Sequence, residues 1–253
     1  MKRDDKKGQV TIFVIIGIVI VMGGILVYMF WPNISSTLGF DEESPAAYIQ
    51  SCIEDEIEDS LDILTLQGGS MSPGHFIMYE GEKIEYLCYT TEFYKTCVMQ
   101  QPMLQKHIET EINEAIKEQA NICFENLEKN YVNKGYDVQL TDGDTKVELL
   151  PNDVKVTFDR ELTLTKGEKT NHKAFSVIVN NNLYELVSIA NSILNWEARY
   201  GDAETTVYMN YYNDLKVEKK KQSEGTTIYV LTNRDNKNKF QFASRSVAWP
   251  PGF

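Results

Sequence analysis

Between Gly8 and Phe40 the chain carries no charged side chain, and Val10 to Trp31 is an almost unbroken apolar run. At about 22 residues the run makes about 33 Å of helix, enough to cross the hydrocarbon layer of a bilayer. A cleaved secretory signal has a shorter apolar core followed by small residues; here Tyr28, Trp31 and Pro32 follow instead. Aromatic rings settle at the membrane-water interface, and Pro ends a helix. The segment before the run, Met1 to Lys7, holds four basic and two acidic side chains. Positive charge stays on the cytoplasmic side, so the expected topology is a single pass with the N-terminus inside. Residues 1–8 are then a cytoplasmic basic segment, 9–31 a transmembrane helix, 32–44 a juxtamembrane linker and 45–253 an extracellular domain. Asn33 heads the triplet Asn33-Ile34-Ser35, which matches an N-glycosylation acceptor.

An outside location makes disulfides the natural state of cysteine. There are four, Cys52, Cys88, Cys97 and Cys123. Their spacings of 36, 9 and 26 residues lack the close pairs of a zinc site. Four cysteines allow three pairings. Cys52 and Cys123 lie on two predicted amphipathic helices whose apolar stripes should pack together, while Cys88 and Cys97 bracket a short insert. Cys52 with Cys123 and Cys88 with Cys97 is therefore the expected pairing.

Periodicity organises the outer region. Ile49, Ile53, Ile57, Leu61 and Leu64 form one stripe of a helix over about 45–66, which Gly68-Gly69 stops. Residues 74–90 read as a hairpin turning at Glu80-Gly81-Glu82. After Pro102 a helix of about thirty residues carries Leu104, Ile108, Ile112, Ile116, Cys123, Leu127 and Tyr131 on one face. From Tyr136 the period changes to two, predicting an antiparallel meander through "YDVQLT", "TKVELL", "DVKVTFDRELTLT" and "KAFSVIV". A third helix over about 183–198 follows, then three further strands in "TTVYMNYY", "TTIYVLT" and "KFQFASRSV". The predicted class is α+β: two long amphipathic helices, an antiparallel sheet and a third helix, without the rhythm of βαβ units.

Charge divides the outer region into an acidic helical part, 45–131, and a mainly β part, 132–253. Residues 41–131 hold 19 acidic against 5 basic side chains, whereas 132–253 hold 16 of each. Nothing is basic enough to neutralise a phosphate backbone, so nucleic acid is not an expected partner. The lipid bilayer is one, together with a protein or other surface partner that the sequence does not specify.

The common catalytic patterns are missing. There is no G-x-S-x-G, no phosphate-binding glycine loop and no H-E-x-x-H. His107 and Glu111 stand one helical turn apart and read as two surface residues on a charged helix. The chain is accordingly read as no enzyme, with no catalytic, cofactor-binding or metal residue assigned. The aromatic residues of "EYLCYTTEFYKTC" are more pointed: Tyr86, Tyr89, Phe93 and Tyr94 surround the expected short staple, and rigid amphipathic rings make good contact surfaces.

The stretch "KKGQVTIFVIIGIVIV" resembles the class III signal of archaeal type IV pilins: basic residues, a Gly, then Gln opening an unbroken apolar helix. The resemblance implies cutting by a membrane peptidase between Gly8 and Gln9. The mature helix then anchors the protein or packs into a filament core. Pilins usually carry Glu four residues after the Gln, where this chain has Phe13. Gly17, Gly23 and Gly24 offer close helix packing for self-association. The outer region is similar in style to exported, membrane-anchored proteins of small-genome archaea, through "YIQSCIEDEIEDSLDILTLQGG" and "TIYVLTN" with "KFQFASRS"; this implies architecture and no activity. The expected function is a non-enzymatic, membrane-anchored cell-surface protein whose disulfide-stabilised ectodomain binds or scaffolds. A pilin-like filament subunit is the alternative, and an ectoenzyme comes third.

Overall fold

A computed structural model describes residues 44–248. Gly8, Gln9, Asn33 and the apolar run lie outside the described residues, as does most of the expected linker. Among the described residues, no helix is long and apolar enough to cross a membrane.

Helix α1, Pro45–Leu66, opens with Pro in its first turn, where the missing amide costs nothing. Ile49, Ile53, Ile57, Leu61 and Leu64 are all buried, because a step of three or four residues returns the side chain to one face. The helix closes through Gly68 and Gly69, both at positive φ, with the Gly69 amide donating to the Leu64 carbonyl at 2.8 Å. Helix α2, Leu104–Asn133, buries Leu104, Ile108, Ile112, Ile116, Cys123, Leu127 and Tyr131. The Cα atoms of Cys52 and Cys123 are 6.0 Å apart and their sulfurs are bonded. The second staple joins Cys88 to Cys97, with Cα atoms 5.3 Å apart. These are the pairs that the helix-packing argument selects.

Strands β1, Phe76–Tyr79, and β2, Glu82–Tyr89, form a hairpin in which Tyr79 faces Glu82. Its two turn residues, Glu80 and Gly81, both have positive φ, the geometry that matches strand twist in a two-residue connection. The short strand β3, Val98–Met99, pairs with β2.

The strands after α2 depart from the single antiparallel meander that alternation suggests. They are β4, Asp137–Leu140; β5, Thr145–Leu150; β6, Asp153–Phe158; β7, Leu162–Lys166; β8, Glu168–His172; and β9, Phe175–Asn180. They sort into two three-stranded sheets, β4-β7-β8 and β5-β6-β9. The run "DVKVTFDRELTLT" breaks between β6 and β7. There Arg160 turns aside, its guanidinium 4.6 Å from the centre of the Phe124 ring.

Helix α3, Leu183–Tyr200, ends at Gly201 in the left-handed conformation. The stretch "TTVYMNYY" is a short helix, α4, Thr206–Tyr211, rather than a strand. The Glu204 carboxylate accepts from the Thr206 amide at 2.9 Å and satisfies a first-turn donor. Three strands close the described chain: β10, Leu215–Lys221; β11, Thr226–Asn233; and β12, Lys239–Arg245. They join the first hairpin in a six-stranded sheet with the path β1-β2-β12-β11-β10 and β3 alongside β2. The β12-β2 pairing is parallel, a second departure from the expected antiparallel sheet.

The class is therefore α+β, with antiparallel pairing predominant. From Ala46 on the chain is one compact unit. The stripes of α1, α2 and α3 share one core cluster with strands from all three sheets, among them Phe158 of β6, Leu162 of β7 and Phe242 of β12. The acidic and the β-rich stretches thus share a single core.

Candidate functional site

The first candidate is the stapled loop between β2 and β3. It is tied to the end of β12 by main-chain bonds: Thr90 donates to Arg245 at 3.0 Å, Tyr94 to Val247 at 2.7 Å, and Val247 back to Lys95 at 3.2 Å. Tyr94 sits at positive φ and is 76% exposed; Phe93 is 63% exposed. Tyr86 does not belong to this surface. It is only 8% exposed, hydrogen-bonded to the Thr226 hydroxyl at 3.1 Å and packed on the His75 ring. Strand alternation turns it into the small cluster of Ile84, Ile228, Val230 and Ala243. Tyr89 is half-buried between His75 and Arg245. Of the four aromatic residues named from sequence, the structure presents Phe93 and Tyr94 together and takes the other two inward.

A second cluster forms where α1 ends. The Ser70 hydroxyl lies 2.8 Å from His107 Nε2 and also meets a Glu85 carboxylate oxygen, while Glu111 accepts from the Met71 amide at 2.8 Å. His107 and Glu111 are thus engaged with the loop after α1, not free on a charged helix face as the sequence suggested. Burial pushes the Glu85 carboxyl above its ordinary range, against the pull of the Ser70 hydrogen bond. In a serine relay the carboxylate orients the imidazole. Here it binds the serine, which is itself buried. The arrangement clamps residues 68–71 against α2 and β2.

The third cluster is deep. Glu197 of α3, nearly fully buried, accepts from the Tyr229 hydroxyl and from the Ser244 hydroxyl at 3.1 Å. Desolvation pushes its carboxyl up, opposed by those two hydrogen bonds. Burial and the neighbouring Glu197 charge push the Tyr229 phenol up as well. Ser244 also lies 3.5 Å from the Cys97 sulfur, so the network touches the short staple.

The outward side of α3, beside Glu197, is where sequence reasoning found nothing. Trp196 and Tyr200 lie one turn apart with ring centres 4.8 Å from each other, 49% and 47% exposed. With Asn191, Ser192, Asn195 and Arg199 they line an open pocket of about 450 Å³. The Asn191 Oδ1 atom is buried and accepts no hydrogen bond from the described residues. Single aromatic and amide residues on the polar side of a helix leave no periodic signal. The available clue was Trp and Tyr at i and i+4 on the face that a water-exposed helix gives to charge.

Among the described residues, no group of three or more His, Cys, Asp or Glu side chains is placed to hold a metal ion. No protein-family model matches the chain, and no curated protein or solved structure matches it.

Proposed function

We propose that the chain is a non-enzymatic cell-surface protein, held by one membrane pass at 9–31, whose stapled outer domain binds or scaffolds other surface material. The observation that carries the binding role is the pair Phe93 and Tyr94, two large rings exposed on a loop closed by Cys88–Cys97 and laced to β12. Such rings lose little conformational freedom on binding, because the staple and the lacing have already ordered their backbone.

Topology is tested by adding protease to intact cells. Removal of the outer domain is expected; its protection until lysis refutes the orientation. The contact role is tested by surface cross-linking of the full chain beside a Phe93→Ala/Tyr94→Ala variant. Loss of specific cross-linked species from a variant of unchanged melting temperature supports the role, and an unchanged pattern removes the loop from it. Residues Gly8 and Gln9 carry a separate proposal, cutting between them, which the intact mass of the membrane-extracted protein decides. The pilin-like start supports a second reading, a filament subunit, for which filaments containing the protein on sheared cell surfaces are the required finding.

A further inference from the structure

We infer that the outer face of α3 is a saccharide-binding site, selective for a sugar chain that carries carboxylate groups. The inference deepens the binding role just proposed and rests on it for the location outside the cell. It uses a different surface from the stapled loop.

A pyranose ring offers two kinds of surface: a face of C–H groups and a rim of hydroxyls. Trp196 and Tyr200, half exposed and tilted 35° to one another, supply ring surface for the C–H face. An aromatic face carries partial negative charge, which attracts polarised C–H groups. The hydroxyl rim needs groups that donate and accept in turn, and an amide side chain does both. Asn191 and Asn195 supply two such amides. The Asn195 amide nitrogen donates to the Asn191 main-chain carbonyl at 2.8 Å, which fixes the amide in the pocket lining. Asn191 lines the same pocket, and its Oδ1 atom is buried without a partner among the described residues.

Arg199 selects the charge. It takes part in none of the ion pairs among the described residues, although the chain has a net charge of -12. Its guanidinium stands 5.5 Å from the centre of the Tyr200 ring, and its fork geometry matches a carboxylate with two parallel hydrogen bonds. No carboxylate lines the pocket. That disfavours a metal ion or an amine, which would be bound by acids. A nucleic-acid strand would need a track of cations along its phosphates, whereas Arg199 is the single cationic residue in the lining. A helical or extended peptide would need apolar anchor pockets or a free strand edge, whereas hydroxyls and amides dominate here.

The site also has length. From Ser188 to Tyr200 the helix extends about 18 Å, and Ser188 belongs as well to a neighbouring pocket of about 340 Å³ that Tyr184, Ile189 and Tyr212 help to line together with Glu185 and Asp214; those two carboxylates leave the Arg199 end as the place for the sugar's own carboxylate. A site of that length along the helix suits a chain of sugars better than a single one.

The test uses the full chain in detergent and two oligosaccharides of equal length, oligogalacturonate and a neutral galactose oligomer, with binding measured by calorimetry. The expected result is saturable binding of the acidic oligomer at least tenfold tighter than the neutral one. Trp196→Ala should weaken it at least tenfold with no change in melting temperature. Arg199→Gln should abolish the preference for the acidic oligomer while leaving weak binding. Absence of binding at millimolar oligomer, equal affinity for both oligomers, or indifference to Trp196→Ala overturns the inference. If the saccharide fails while the Phe93 and Tyr94 variant still loses its cross-links, the binding role stands and only the ligand class on α3 falls. If both fail, the binding role falls too.

Discussion

The two staples should contribute unequally to stability, and the difference can be worked out. Cys52–Cys123 closes a span of 71 residues and Cys88–Cys97 one of 9. In the chain-entropy account a cross-link stabilises by restricting the unfolded chain, and the effect grows with the logarithm of the loop. At 25 °C this gives about 4.4 kcal/mol for the long staple and about 2.6 kcal/mol for the short one. An outer domain of about 200 residues has an unfolding entropy of about 0.4 kcal/mol per degree near its melting point. The Cys52→Ala/Cys123→Ala variant should therefore melt about 10 °C below the parent, and Cys88→Ala/Cys97→Ala about 6 °C below. Loss of sulfur packing lowers both, and the short-staple variant somewhat more, since Cys88 and Cys97 are both buried whereas Cys52 of the long pair is only partly so. Thermal melts followed by circular dichroism in detergent, without reductant, read the two shifts. If the short-staple variant melts lower than the long-staple one, loop entropy does not govern these bonds, and the loop's lacing to β12 must instead depend on its staple.

Glu197 sets a pH dependence. Burial raises its native pKa above the ordinary 4.5, so the group favours the folded state below that ordinary value and loses this contribution as pH rises through the native one. Glu197→Gln should therefore be more stable than the parent at about pH 8, with the advantage shrinking toward about pH 5; a melting difference that stays constant with pH refutes the assignment. At Gly143 an added Cβ would stand 1.7 Å from the Asp159 carbonyl oxygen. Gly143→Ala should then cost about 2–3 kcal/mol in urea unfolding, while Gly74→Ala, with nothing within 4 Å of its Cβ, should stay within about 0.5 kcal/mol of the parent.

Much of the secondary structure was legible because burial leaves a period. Helices α1, α2 and α3 each repeat an apolar residue every three or four positions over five turns or more, and β5, β6 and β9 alternate cleanly. What the period does not encode is the partner of each strand. The break at Arg160 sends β6 and β7 to different sheets, and β12 meets β2 across more than 150 residues. Strand β10 was missed because "LKVEKKK" buries only Leu215 and Val217 and gives the rest to charge. In α4, alternating Thr, Val, Tyr and Met resembled a strand, while the local donor to Glu204 favoured a turn of helix. The candidate sites were less legible still. A buried Glu inside a helix reads as an outward residue until Tyr229 and Ser244 are found beside it, and Trp196 has no motif around it.

Those last two residues are neighbours in sequence, and that adjacency links the core to the surface. Successive helical side chains are turned by about 100°, so fixing the direction of residue 197 fixes that of residues 196 and 200. Glu197 is held from two strands at once, by Tyr229 of β11 and Ser244 of β12. Rotating α3 would break both bonds and leave a carboxyl group buried without partners, a cost of several kcal/mol. A leucine at 197 would bury as well, but without these two directional bonds. The buried polar group therefore adds to the apolar stripe of α3 in fixing the helix's rotation, and with it the direction from which Trp196 and Tyr200 leave the helix. Ser244 extends the same constraint to the Cys97 sulfur, at the base of the loop that carries Phe93 and Tyr94. One interior network thus reaches the supports of both exposed aromatic surfaces.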